Sequence, residues 1–151
     1  MRLCNKQSGF TLIELMVIIA IMAVSAGIAI PNFLSYMPKH RLNGAARQVM
    51  GDLMAARMKA VKGNCDVAVA FVSGDSEYKI WTDSNNNGIK DSGEEITKDI
   101  QSNYNDVNIS STKNIEFHSR GTANPYGIIV LTNSVGSKDV KAHITGRVMI
   151  E

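Results

Sequence analysis

The densest run of oxygen-bearing side chains is Asp83-Ser84-Asn85-Asn86-Asn87-Gly88, followed by Glu94. It fits the loop pattern D-x-[DN]-x-[DN]-G-x5-E, in which oxygens at alternate positions converge on one calcium ion while glycine permits a sharp turn. The ligands would be Asp83, Asn85, Asn87, Asp91 and Glu94. The flanks are not those of an EF-hand, because β-patterned residues precede the loop and no strong amphipathic helix follows. Asn and Asp also build turns by bonding their own backbone, so a polar hairpin tip is the alternative, and the flanks favour it. Calcium is thus the one cofactor that the sequence raises.

A second constellation lies near the C-terminus. If Val140, Ala142 and Ile144 face the core, alternation turns Lys141 and His143 outward, and Arg147 joins them across the Gly146 turn. Such cations could engage phosphates. Solvated charges that discourage strand-edge pairing are the simpler reading. His40, His118, His143 and Cys65 form no metal-ligand or catalytic spacing, and no enzyme is expected. Cys4 precedes the apolar run. Cys65 stands alone at the start of a strand and reads as a small buried residue, with a free reactive thiol as the alternative.

The remaining chemical feature is one charge in an apolar setting. Glu14 is the only charged residue between Lys6 and Lys39, and it lies in residues 10–30, where 17 of 21 side chains are apolar. A helix of that length spans roughly 31 Å, the hydrocarbon thickness of a bilayer, and its apolar residues occupy every side. A carboxylate at the centre of a lone membrane helix costs about 2.5–3.5 kcal/mol, less near an end, so Glu14 calls for a partner. Arg2 and Lys6 precede the run with no acid, which places the N-terminus in the cytoplasm. A secretory signal peptide would have a shorter apolar core and a small-residue cleavage site before Pro31.

The whole-chain averages conceal this segment. A chain of 151 residues with a formal charge of +2, 44% hydrophobic residues and a mean hydropathy near zero describes an ordinary soluble domain. Those values exclude a multi-domain enzyme and a disordered chain, and they give no whole-chain case for a nucleic-acid binder. Charge is uneven along the chain, with six basic residues and one acid in 39–62 against three and eight in 75–106. The basic stretch reads as a solvated face or as electrostatics at a membrane surface rather than a specific site.

Leu42, Ala46, Val49, Leu53, Ala56 and Ala60 recur at helical spacing and predict a helix that packs on a core and ends near Gly63-Asn64. Pro38 and Gly44 are expected to bend it or loosen a turn. Thereafter the period shortens to that of strands: 67–72, a turn at Ser73-Gly74-Asp75, a return over 77–82, then segments near 107–110, 115–118, 126–132, 138–145 and 147–150. The best later hairpin turn lies at 133–137. The expected class is α+β, with one long helix against an antiparallel β-sheet head built from sequentially adjacent hairpins.

Ser8-Gly9-Phe10-Thr11-Leu12-Ile13-Glu14 resembles the type IV prepilin signature, a short basic leader ending in Gly before Phe-Thr-Leu-Ile-Glu and an apolar helix. The resemblance implies cleavage by prepilin peptidase between Gly9 and Phe10, N-methylation of Phe10, pairing of Glu14 with the new N-terminus of a neighbouring subunit, and a helix kink at Pro31. It is shared by major pilins, minor pilins and pseudopilins. The Trp81-Thr82-Asp83 to Glu94 loop, Ile115-Glu116-Phe117-His118-Ser119-Arg120-Gly121 and Gly146-Arg147-Val148 further resemble the GspH/FimT group of minor pilins and pseudopilins.

On this resemblance the chain comprises a cleaved leader (1–9), a transmembrane helix segment (10–30), a helix continuation (31–63) and a β head (64–151). The implied location is the bacterial inner membrane, with a cytoplasmic N-terminus and a periplasmic or otherwise extracytoplasmic head. Other major and minor pilins or pseudopilins, prepilin peptidase and the membrane are the implied partners, in a type IV pilus or a type II secretion pseudopilus. Some members of the group bind DNA through a C-terminal Gly-Arg-x-Arg segment during natural transformation. Here Gly146-Arg147-Val148-Met149 lacks the second arginine, which weakens the DNA reading for Lys141 and Arg147.

Overall fold

The computed structural model describes residues 9–72, 76–84 and 95–151. Among the described residues, one helix, α1 (Leu12–Gly63), precedes nine strands. Thr11 starts the helix: its hydroxyl accepts the Glu14 amide at 3.3 Å, satisfying one of the donors that a helix N-terminus leaves open. The helix ends where the spacing predicts. Asn64 adopts a left-handed conformation with φ 50°, and the Cys65 amide reaches back to the Ala60 carbonyl at 3.2 Å, the closing bond of a Schellman motif. The helical assignment runs through Pro31, Pro38 and Gly44.

The chain forms two compact units, one ending at Met37 and the other Pro38–Glu151. In the first, the apolar window of α1 has none of its residues buried. Among its side chains, Leu12, Ile13, Met22, Val24 and Ile28 are all more than 60% exposed. Ser25 returns its hydroxyl to the Ile21 carbonyl at 2.8 Å, so this polar group needs nothing from outside the helix.

In the second unit, all six residues predicted to form one helix face are buried, and Ala45 joins them. Four of the seven are alanines, which lets the helix axis approach the sheets closely. Gly44 serves the same end. A Cβ there would lie 2.7 Å from the Tyr104 ring, so the glycine makes room for an aromatic side chain against the helix.

The strands divide between two antiparallel sheets. β1 (Asp66–Phe71), β2 (Glu77–Asp83), β3 (Glu95–Asp99), β5 (Ile115–Phe117) and β6 (Ala123–Asn124) form the first, in the order β3-β2-β1-β5-β6. β4 (Asn108–Ser111), β7 (Gly127–Asn133), β8 (Gly136–Ala142) and β9 (Val148–Ile150) form the second, in the order β4-β7-β8-β9. Sequence alternation locates β1, β2, β4, β5 and β7 to β9, but not β3 or β6. β3 carries Glu95, Lys98 and Asp99 on a strand edge with no buried side chain, and β6 has two residues, so neither shows a period. The β7–β8 hairpin turns where expected, with Asn133 paired to Gly136.

Polar contacts fasten the helix to the strands. Asp52, the only acid on its stretch of α1, accepts the Tyr78 hydroxyl and bonds Lys98 Nζ at 2.5 Å. Burial, and then the hydrogen bond and charge of Asp52, raise the Tyr78 pKa above the usual tyrosine range, so its hydroxyl stays a donor. Arg41 pairs with Asp106 at 3.6 Å, and Asn133 donates to the Pro38 carbonyl at 2.8 Å. Asp52→Ala removes the acceptor for the hydroxyl proton of a fully buried tyrosine, leaving Gln48 as its side-chain partner, and it is expected to cost about 1–3 kcal/mol in a denaturant titration. Lys98→Met, at a half-exposed position, is expected to cost less than about 1 kcal/mol.

Candidate functional site

Three sets of residues are candidates for a functional site: the start of α1, a glycine–arginine junction in the head, and an outward-facing cluster on the first sheet. Among the described residues, a Cβ placed on Gly9 would meet no atom within 4 Å, and Phe10 is 77% exposed. The sequence Thr11-x-x-Glu14 is a capping-box pattern, a signal readable in the chain but eclipsed by the membrane reading. It places Glu14 in the first helical turn, where the partial positive charge of the helix favours an acid. The Glu14 carboxylate has no hydrogen bond or ion pair among the described residues. Pro31 lies within α1.

The C-terminal residues are arranged differently from the alternation reading. Val140 and Ala142 are buried as expected, but Ile144 is 64% exposed, because β8 ends at Ala142 and alternation ends with it. The chain then turns tightly, with the Gly146 amide on the His143 carbonyl at 2.7 Å and the His143 amide on the Arg147 carbonyl at 2.8 Å. Lys141 is held by Glu151 at 2.5 Å. That hydrogen bond raises the Lys141 pKa and lowers that of Glu151. His143 stacks edge-on with Tyr126 at 5.2 Å between ring centres, whereas Arg147 is exposed. His143 and Arg147 thus lie opposite each other across the Gly146 turn, while Glu151 neutralises Lys141 locally.

The turn instead abuts the helix. Gly121 and Gly146 have φ of 80° and 78°, and a Cβ on Gly146 would fall 1.9 Å from the Gly121 carbonyl oxygen and 2.7 Å from Arg57 Nε. Arg57 Nε donates to that same carbonyl at 2.8 Å. Two backbone segments and a guanidinium therefore meet at a point where only glycines fit. The adjoining groove, of about 470 Å³, is lined by Arg57, Met58, Val61, Lys62, Arg120 and Gly121. Nothing in the local sequence pairs positions 57, 121 and 146, so the junction was legible only as two separate motifs.

On the outer face of the first sheet, Asp66, Glu116 and His118 come together with their ligand atoms within 4.8 Å of one another. Sequence spacing found no cluster around His118, because its partners lie on a different strand as well as its own. Asp83 ends β2 in register with Asp66 and is buried. The other residues of the calcium pattern, Asn85, Asn87, Asp91 and Glu94, lie outside the described residues. Cys65 is free and buried, as its neighbours in sequence suggest.

A capped apolar helix followed by an antiparallel β head is the architecture of pilin-like subunits. Residues 45–146 match the family model for type II transport protein GspH, and residues 4–30 match the prokaryotic N-terminal methylation motif. The chain belongs to the GspH family, within the type IV pilin and pseudopilin class, whose members are structural subunits rather than enzymes. It is 29% identical to the pilin-like protein PilA1 of Thermus thermophilus, over 95% of this chain and 97% of that protein. A fimbrial protein of Pseudomonas aeruginosa is 34% identical over 50% of this chain and 49% of its own length.

Two solved structures share the fold. The type IV minor pilin FimU of Pseudomonas aeruginosa has a TM-score of 0.57 at 15% identity, covering 77% of this chain and 92% of that one. The minor pseudopilin EpsH of the Vibrio cholerae type 2 secretion system has a TM-score of 0.59 at 10% identity, covering 74% and 96%. Membership in this class implies assembly with other pilins, and the apolar helix fits membrane anchoring.

The junction makes a checkable prediction. Gly146→Ala is expected to cost more than about 1 kcal/mol by thermal or denaturant unfolding, since both the φ and the space are wrong for a side chain. Gly51→Ala, exposed on α1 with open space around it, is expected to gain about 0.5–1 kcal/mol.

Proposed function

We propose that this chain is a minor pilin or pseudopilin made as a precursor, cut by prepilin peptidase between Gly9 and Phe10 and N-methylated on Phe10. It is held in the bacterial inner membrane with its N-terminus cytoplasmic and its head periplasmic, and it joins or primes a type IV pilus or a type II secretion pseudopilus. The observation that carries this reading is the start of α1. An apolar window with no buried residue begins beside an exposed Gly9-Phe10 bond and contains one carboxylate without a partner among the described residues. Cleavage creates a cationic amine four residues before Glu14, about one helical turn away. In a low-dielectric setting, pairing such an amine from a neighbouring subunit with Glu14 offsets the cost of placing a carboxylate there and fixes the axial register between subunits.

The leader also changes the charge. Removal of Arg2 and Lys6 reduces 16 basic side chains to 14, equal to the 14 acids. The mature side chains are then neutral overall, and assembly does not work against a large like-charge repulsion.

DNA uptake is a second reading, favoured by one observation: Arg57, Lys62 and Arg120 line the groove beside the Gly146 turn, where Arg147 is exposed. Lys141 adds little to it because Glu151 neutralises it locally. A salt-sensitive gel shift abolished by Arg147→Ala together with Arg120→Ala supports this reading, and no shift at low salt removes it.

For the principal reading, Gly9→Ala is expected to leave full-length precursor in the membrane when expressed in a host with prepilin peptidase, scored by size on an immunoblot. Normal processing would count against it. Glu14→Ala is expected to be cleaved normally yet to be lost from sheared filaments. Undiminished incorporation would remove the role assigned to the carboxylate.

A further inference from the structure

The first sheet carries a cluster that includes neither Glu14 nor any residue lining the Arg57 groove. β1 and β5 run antiparallel with Val67 opposite Phe117 and Ala68 opposite Glu116. The next step along the same register sets Asp66 opposite His118. Side chains alternate across a strand, so Asp66, Glu116 and His118 all leave the face opposite to the buried Val67, Val69, Ile115 and Phe117. Their ligand atoms lie within 4.8 Å of one another, and His118 Nδ1 stands 3.1 Å from Asp66 Oδ2. Both side chains are a little over one-third exposed, so an ion could reach them.

We propose that Asp66, Glu116 and His118 form a zinc site that clamps β1 to β5. The ligand chemistry favours this ion. One imidazole nitrogen and two carboxylate oxygens are a donor set for zinc, whereas calcium and magnesium take oxygen ligands. Ligands about 2.0–2.1 Å from a tetrahedral zinc stand roughly 3.3 Å from each other, close to the spacing of the His118 and Asp66 atoms. Two carboxylates balance the charge of the ion, and water completes the coordination. The Glu116 carboxylate makes no hydrogen bond or ion pair among the described residues, so binding zinc costs it no existing partner.

The backbone holds the site in place. The His118 amide donates to the Thr122 carbonyl at 2.9 Å, and the His118 carbonyl accepts the Gly121 amide at 2.7 Å. These bonds pin the turn between β5 and β6 and leave the imidazole to be oriented by Asp66 alone. An ion joining residues 66, 116 and 118 closes a long loop of chain. It is therefore expected to raise the resistance of the head to unfolding.

The test is calorimetric titration of zinc chloride into the full chain in detergent micelles, free of any histidine tag. One equivalent is expected to bind and to raise the melting midpoint. His118→Ala and Glu116→Gln are each expected to weaken binding at least about tenfold, with unchanged circular dichroism, whereas His40→Ala and His143→Ala leave it intact. Failure to bind zinc, or equal binding by the His118 and Glu116 variants, overturns the site. So does displacement of zinc by an equimolar amount of calcium.

Discussion

A helix that is apolar on every side cannot end its folding inside its own chain. The window at the start of α1 has no buried residue, and fifteen large apolar side chains from Leu12 to Tyr36 are exposed. Each fully covered Val, Leu or Ile is worth roughly 1.5–3 kcal/mol, so a cover is required by energetics before biology is considered. In the proposed reading, lipid provides it for a single subunit, and other helices of the same kind provide it in a filament. Within that surface, Thr11 caps the helix start and Ser25 is satisfied by Ile21, which leaves the Glu14 carboxylate without a partner among the described residues. In the proposed reading, cover and counter-charge are one requirement, met by the same neighbour.

The second half of α1 meets the opposite condition. Leu42, Ala45, Ala46, Val49, Leu53, Ala56 and Ala60 are buried against the strands, and small side chains keep the approach close. Specific polar contacts then fix the helix rotation: Asp52 with Tyr78 and Lys98, Arg41 with Asp106, and Arg57 with the Gly121 carbonyl. Burial supplies most of the free energy, while these contacts choose one register among several that would bury similar area. Gly121 and Gly146 belong to that choice, since their lack of a side chain lets the final turn of the head reach Arg57.

Local periodicity and non-local pairing explain which parts were readable beforehand. The six-residue helix face, the Gly63-Asn64 end and the prepilin-like leader depend on neighbours within one or two turns, and the helix face and its end are where the spacing placed them. Strand existence was readable for seven of nine strands, but their division between two sheets was not, because alternation gives a side chain's face and not its partner strand. Ile144 was misplaced for a related reason: alternation continues on paper, whereas β8 stops at Ala142. His118 carried no signal because Asp66 is 52 residues away and is brought to it only by the β1–β5 pairing.

In the proposed reading, the exposed helix is covered by helices of other pilin-class subunits. Placing a photo-reactive benzophenone side chain at Phe33, an exposed position on α1, tests it directly in assembled filaments. Irradiation is expected to yield covalent adducts whose mass-spectrometric peptides map to the N-terminal helix of another pilin-class subunit. Adducts confined to lipid, in cells that assemble filaments normally, would contradict the account.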